Sequence, residues 1–419
     1  MSRRRLHNIL SRLDVYYGWY ILAAGFLLLF FQAGARFSFG IMFKPMMVEL
    51  GWNRASVSSV FFLNMTCFAL TLSIAGKLYD RWGPKWVILI STLFLSVGYA
   101  CVSFIDRLWE FHIYYGILAA IGMGGASVPL IAALMSKWFE KKRGLVISLA
   151  LSGNCIGQFV LVPFFSNLIL EFGWRFACIV IGVVIFAVNM VLALFVIKTE
   201  PPKPGLKPCS RKNRSGFRNN RSPSGITASA TDLDLKAAMK TSSFWLYLIV
   251  MFVCGSGDFL ITTHLVPMVT DFNISPAVAA NMLAWFGLLS MGGILIAGPV
   301  SDAAGNKIPI TLTFVLRLIL FLLILRYQNL VSFYIFAVTF GFTFLITAPL
   351  TTTLIGRLFG FSHIGLISGF ITMIHHLGGG FWAYAGGLSF DKSGSYQWSF
   401  VVSAVMAGIA VICTLMIKE

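Results

Sequence analysis

Long apolar runs alternate with short polar connections along this chain, and the runs dictate its architecture. Twelve of them lie at 16–47, 55–76, 84–105, 109–135, 144–169, 173–197, 242–270, 276–299, 308–327, 330–355, 363–388 and 397–416. A helix rising ~1.5 Å per residue crosses ~30 Å of hydrocarbon in about 20 residues, so each run is long enough to span a bilayer. The pattern predicts an all-α polytopic membrane protein with twelve transmembrane helices. The longest polar interruption, residues 198–240, is rich in Pro, Ser, Asn and Arg. It predicts a basic, mostly disordered cytoplasmic linker, read first as a solvated connector and second as a segment lying against anionic headgroups. The linker divides an N-terminal six-helix bundle (1–197) from a C-terminal one (241–419).

Composition agrees and narrows the class. Of 419 residues, 58% are hydrophobic and 11% charged, with a mean hydropathy of +0.84. Soluble domains carry ~25% charged residues, so this chain has too few to cover a water-facing surface. The net charge of +17 does not point to nucleic acid, because the cations are grouped by side. Counting Lys and Arg loop by loop puts 24 of 32 on the side shared by the two termini and six on the other. By the positive-inside rule both termini are cytoplasmic, in the cell (inner or plasma) membrane. The basic start, Met-Ser-Arg-Arg-Arg, lacks a short apolar core with a cleavage site and reads as the flank of a retained first helix. Seven scattered cysteines show no CxxC or metal-ligand spacing. No nucleotide loop or nucleophile constellation occurs either. The sequence therefore predicts no enzyme, no cofactor and no metal.

One polar connection repeats. Gly76-Lys-Leu-Tyr-Asp-Arg-Trp-Gly-Pro-Lys85 returns as Gly298-Pro-Val-Ser-Asp-Ala-Ala-Gly-Asn-Lys307, so Gly76, Asp80, Gly83 and Lys85 meet Gly298, Asp302, Gly305 and Lys307 at an offset of 222. The offset also aligns Phe37, Pro45, Met46, Glu49 and Ala55 with Phe259, Pro267, Met268, Asp271 and Ala277. Two copies of a six-helix unit follow. Glycines let the helix ends approach in such a turn and charges keep it in water, which makes Gly76, Asp80, Arg81, Gly83, Lys85, Gly298, Asp302, Gly305 and Lys307 candidates for a cytoplasmic gate.

This decapeptide resembles the signature loop of the major facilitator superfamily, which joins helices two and three and recurs between eight and nine. The resemblance implies two pseudo-symmetric six-helix bundles working by alternating access. Trp138-Phe-Glu-Lys-Lys-Arg143-Gly-Leu-Val-Ile-Ser-Leu-Ala-Leu-Ser-Gly153-Asn-Cys-Ile-Gly157 resembles the fifth-helix motif of monocarboxylate transporters and their oxalate/formate-antiporter-like relatives. Tyr17-Gly18-Trp19 resembles part of their first-helix motif. The chain also departs from that branch. Where its eighth helix carries an aspartate and, four residues on, a carboxylate-binding arginine, this sequence has Ser290 and Ile294. Arg36 lies beside the position of the branch's functional lysine on helix one and is the residue available to stand in.

The same offset sets Arg36 on helix one opposite Asp258 on helix seven. A charge this deep costs at least ~2.5–3.5 kcal/mol unless it finds a partner or water. Two readings stand. In one the pair is an ion bridge that closes the outer side; in the other Arg36 snorkels outward and Asp258 caps a local helix break. Arg317, inside helix nine, serves as scaffold, snorkels outward or contacts substrate. His375 and His376 open a run through Gly378-Gly-Gly380 and either relay protons or hydrogen-bond within the bundle. Asn154 and Gln158 on helix five, and Tyr114 and Tyr115 on helix four, either line a cavity or pack. The leading functional expectation is a secondary active transporter of small organic anions, monocarboxylate-like, coupled to protons or exchanging anions and working as a single chain. A carrier or exporter of an uncharged or amphipathic molecule is the second expectation, and a non-transporting membrane sensor the third.

Overall fold

A computed structural model describes residues 16–139, 143–198, 233–360 and 363–418, with backbone only at 143 and 302. Helices account for nearly all described residues, and no strand occurs among them. The disorder expected of the linker falls on residues outside the described ones, apart from 233–240. There Leu235–Ala238 forms one helical turn and the Leu233 N–H donates to Phe359 O.

The N-terminal half comprises α1 (Gly18–Leu50), α2 (Arg54–Trp82), α3 (Pro84–Val102), α4 (Leu108–Trp138), α5 (143–172) and α6 (174–196). The C-terminal half comprises α7 (Ser242–Asp271), α8 (Pro276–Ala304), α9 (Lys307–Arg326), α10 (Leu330–Phe359), α11 (Ile364–Ser393) and α12 (Gln397–Met416). Among the described residues, eleven continuous helical stretches are long and apolar enough to cross a membrane. One of them, Gly144–Val196, is 53 residues long and breaks at Gly173, where φ is 82°. At ~1.5 Å per residue that stretch is more than twice a bilayer's thickness, so it makes two passes. The described residues thus make twelve crossings.

Local chemistry sets the helix starts. Asn53, Thr241, Ser275 and Asn329 each cap the following helix by accepting a backbone N–H, and Pro84 and Pro276 occupy first turns. The duplicated decapeptide forms the same turn twice. Gly83 and Gly305 adopt φ of 81° and 74°, a region glycine enters without steric penalty. Lys85 Nζ donates to Leu194 O at 2.9 Å, and Lys307 Nζ to Ile417 O at 2.9 Å. Each lysine thus ties down the last helix of its own half.

The side carrying residues 198 and 233 is termed the linker side, and the opposite one the far side. Packing differs between them. On the far side one apolar core runs through both halves, from Phe39, Phe61 and Tyr99 to Phe259, Phe336 and Phe400. On the linker side the core divides into two. One part, around Leu134 and Trp138, belongs to the N-terminal half; the other, around Phe244 and Leu354, belongs to the C-terminal half. Polar contacts across the halves follow the same division. Arg54, Lys44 and Ser58 reach Asp271, Tyr396 and His264 on the far side, while among the described residues no hydrogen bond or ion pair joins the halves at the linker-side ends. The molecule is sealed on the far side and parted on the linker side.

Candidate functional site

Close helix crossings build the centre. A Cβ on Gly255 of α7 would lie 1.8 Å from His375 O, and one on Gly379 of α11 would lie 1.9 Å from the Phe259 ring. These glycines bring α7 and α11 together at mid-depth, the approach expected of the Gly378–Gly380 run. Gly380 meets Met65 and Phe62 of α2, so the run touches the other half as well. Gly153 and Gly157 have the same role on α5, where a Cβ would fall 2.3 and 2.2 Å from Phe26 O and Phe30 O of α1.

Asp258 and Arg317 face each other in this centre. Arg317 Nη2 is 2.7 Å from Asp258 Oδ1, with side chains only 2% and 1% exposed. The guanidinium is used fully. Its Nε donates to Thr343 Oγ1, Nη2 to Thr343 O and Nη1 to Cys254 O, and its face lies 4.7 Å from the Phe340 ring centre. The Asp258 partner is therefore Arg317 of α9 and not Arg36. Arg317 does not snorkel, and Asp258 sits mid-helix in α7, not at a break. Cys254, Asp258 and His375 come within 4.8 Å of one another, but the guanidinium already holds the place beside the carboxylate where a cation would sit.

Arg36 stands apart from them. Its guanidinium lies 5.3 Å from the Phe68 ring centre and 5.2 Å from that of Phe259, and Nη2 approaches Met65 Sδ at 3.8 Å. Among the described residues no carboxylate comes within 4.0 Å of it. It does not snorkel either, since its contacts are mid-helix residues of α2 and α7. Two aromatic faces stabilise a guanidinium by ~0.5–2 kcal/mol each, but they leave its net charge uncompensated.

The histidines complete this environment. The His376 ring packs on Phe68 (5.1 Å) and Phe259 (5.6 Å), and its Nδ1 pairs with Thr372 O at 2.8 Å. His375 packs on Phe259 at 5.6 Å and holds Nε2 3.8 Å from Asp258 Oδ2. The Phe259 ring thus packs on Arg36 and on both histidines.

Other expected residues lie elsewhere or are committed. Gln158 is buried and donates to Leu283 O across the halves, so its amide belongs to the α5–α8 contact. Asn154 lies partly buried one turn away on α5. Tyr115 is buried in a π-helical stretch of α4 (His112–Ala119), stacks on Phe39 at 4.9 Å and gives its carbonyl to Asn64; Tyr114 is partly buried beside it. Ser290 donates to Gly287 O and contacts Cys155 Sγ of α5 at 3.3 Å. In the decapeptide loop Asp80 and Arg81 are exposed. The two motifs read as family marks touch each other. Tyr16 OH donates to Trp138 O, Trp19 packs on Phe139, and a Cβ on Gly18 would meet the Phe139 ring at 2.9 Å.

Two six-helix halves around a central charged site, sealed on one side, define a polytopic membrane transporter and not an enzyme. The chain belongs to the Major Facilitator Superfamily, whose family model matches residues 25–270 and 247–419. Among its relatives is an uncharacterized MFS-type transporter, YcxA, of Bacillus subtilis, 24% identical over 95% of this chain and 94% of that one. Monocarboxylate transporter 13 of Rattus norvegicus is 26% identical over 95% and 89%. Among solved structures a single-residue mutant of the nucleoside transporter NupG superposes with a TM-score of 0.75 at 13% identity, covering 95% of this chain and 100% of that one. A bacterial homolog of the human lysosomal transporter Spinster, inward-facing and occupied, gives 0.73 at 14% over 96% and 97%. At such identities the structures speak for the fold alone.

Proposed function

We propose that this protein is a secondary active carrier of small organic anions of the monocarboxylate type, working by alternating access with both termini in the cytoplasm. One observation carries the reading. Arg36 is a mid-membrane cation flanked by Phe68 and Phe259 with no acid at ion-pair distance among the described residues. A bound carboxylate would supply the missing charge through a bidentate, charge-assisted contact, and the aromatic rings would take the apolar body of a short organic acid. The monocarboxylate transporters among the relatives support the same class. The absence of an arginine at Ile294 is met by moving the anchor to α1. The Lys and Arg asymmetry supports the linker side as cytoplasmic, so the state described is inward-facing.

The test is flux into proteoliposomes with radiolabelled acetate, pyruvate, lactate and oxalate, with and without a pH gradient. Wild type should accumulate at least one of them. Arg36→Gln should lose uptake by about a hundredfold, the order observed when one partner of a desolvated charged contact is removed, with unchanged protein in the membrane. Arg36→Gln transporting like wild type would overturn the assignment.

A further inference from the structure

His375 is placed to take a proton where an anion would feel it. It is the member of the Asp258–Arg317–His375 cluster with access to open space, its side chain 15% exposed against 1% for Asp258 and 2% for Arg317. Its Nε2 points at Asp258 Oδ2 from 3.8 Å, beyond hydrogen-bond range. A neutral imidazole closing that gap would gain only an ordinary hydrogen bond to Oδ2. An imidazolium would gain a charge-assisted contact of ~2.7–2.9 Å. On its other side His375 meets Phe259, whose ring carries Arg36.

We propose that His375 is the proton-binding residue of the carrier, that Asp258 positions and stabilises the imidazolium, and that the proton travels with an organic anion held at Arg36. The inference rests on the anion-carrier reading above. The charged and titratable groups around His375 are Asp258 and Cys254 from α7, Arg317 from α9, His376 from its own helix and Arg36 from α1, with Tyr115 of α4 near Arg36; α10 contributes Thr343 and α2 contributes Phe68, neither of which titrates. With His375 neutral this cluster holds two arginines against one carboxylate, one positive charge in excess. A proton taken up on Nε2 makes the excess two. A bound monoanion returns it to one, the value of the empty site. Proton and anion therefore bind each more tightly in the presence of the other, by linkage that works in both directions. No bond of the substrate is made or broken, and the proton leaves to water on the side where the anion is released.

Three variants separate this from a purely structural cluster. In proteoliposomes loaded with pyruvate or oxalate, His375→Gln should reduce the ratio of pH-gradient-driven net uptake to labelled-for-unlabelled exchange by at least about tenfold. It should also flatten the pH dependence of exchange between about pH 5 and 8, where an ordinary histidine titrates. Asp258→Asn should lower the same ratio, whereas Arg317→Lys, which keeps the charge, should retain most of it. The substrate-free readout is an infrared difference titration of purified protein. There His375→Gln must remove one imidazole step, and Asp258→Asn must displace it. An unchanged ratio and pH profile in His375→Gln, or an infrared titration that it leaves intact, would overturn the proposal. Wild type that moves none of the anions while the His375 step is present would count against the anion reading alone.

Discussion

Arg54 of α2 grips Asp271 at the end of α7 with a 2.6 Å contact between Nη2 and Oδ2, and Lys44 of α1 reaches the other oxygen at 2.9 Å. Around this carboxylate the two halves are fastened together. Arg54 Nη1 also donates to Tyr396 OH, and its guanidinium lies 3.5 Å from the Phe390 ring centre. Asp391 of α11 accepts the backbone N–H groups of Arg54 and Ala55, so it satisfies the first turn of α2 as a capping acid does. His264, hydrogen-bonded to Tyr396 and Ala383 O, fills the gap behind them.

This latch must open for the far side to become accessible. Asp271 is about a quarter exposed, so the Arg54 contact contributes ~1–2 kcal/mol rather than the ~3–5 kcal/mol of a fully buried pair. Asp271→Asn should therefore shift the population toward the far-side-open state by about tenfold. A cysteine replacing Ser58, buried behind the latch, should become correspondingly more reactive to a membrane-impermeant maleimide added from the far side. Equal labelling with and without Asp271→Asn would show that the latch does not hold the state.

The linker side offers the converse experiment. A Cβ on Gly76 or on Gly298 would meet nothing within 4 Å, whereas Gly40 and Gly387 on the far side would press on Thr262 O and Arg54 O across the halves at 2.7 and 2.8 Å. Glycines at the closed end are in use, whereas Gly76 and Gly298 are idle in this state. If they serve the closure of the linker side, Gly76→Leu should fold with unchanged melting temperature and yet slow exchange by about tenfold or more, because the other state would be overpacked by ~1–3 kcal/mol. Wild-type exchange by Gly76→Leu would remove the loop from the gate.

Much of this fold could be read from the chain, and the reasons are local. Apolar run length gives the passes, and the 222-residue offset anticipates that Lys85 and Lys307 perform one task twice. The charge pairing was not legible by that rule. Symmetry sets Arg36 opposite Asp258, but a side chain pairs with what its helix packs against: Arg36 rests on the Phe259 ring while Asp258 meets Arg317. A better signal was present, since Asp258 and Arg317 are the opposite charges lying inside spans of the same bundle. The latch was missed for another reason. Glu49 and Asp271 are repeat-related, yet Glu49 holds Trp174 and Arg175 within its own half while Asp271 holds Arg54 and Lys44 of the other. Sequence symmetry is blind to that difference.

The α1–α5 crossing gives a stability test free of transport. A side chain at Gly157 would enter the space of Phe30 O, a backbone atom that cannot rotate away, whereas Gly144 faces open space. Gly157→Val should destabilise the protein by ~1–3 kcal/mol or prevent its accumulation, and Gly144→Ala should leave the melting temperature unchanged. Thermal unfolding in detergent, followed by tryptophan fluorescence, reads both. A Gly157→Val protein as stable as wild type would mean that α5 does not approach α1 this closely.

The buried Asp258–Arg317 pair allows structural and functional contributions to be separated. Arg317→Met leaves a carboxylate without its counter-ion in a dry site and should cost about 3–5 kcal/mol, whereas replacing both charges removes the desolvation burden along with the attraction. The double variant Asp258→Leu with Arg317→Met should therefore regain most of the stability lost in Arg317→Met. Transport should not return with it, because His375 then faces no carboxylate and the centre holds Arg36 alone. A double variant both stable and fully active would reduce the pair to packing; one as unstable as the single variant would mean that Arg317 holds α9 through Thr343 and Cys254 and not through the ion pair. Melting temperature and exchange rate measured on the same preparations give the answer.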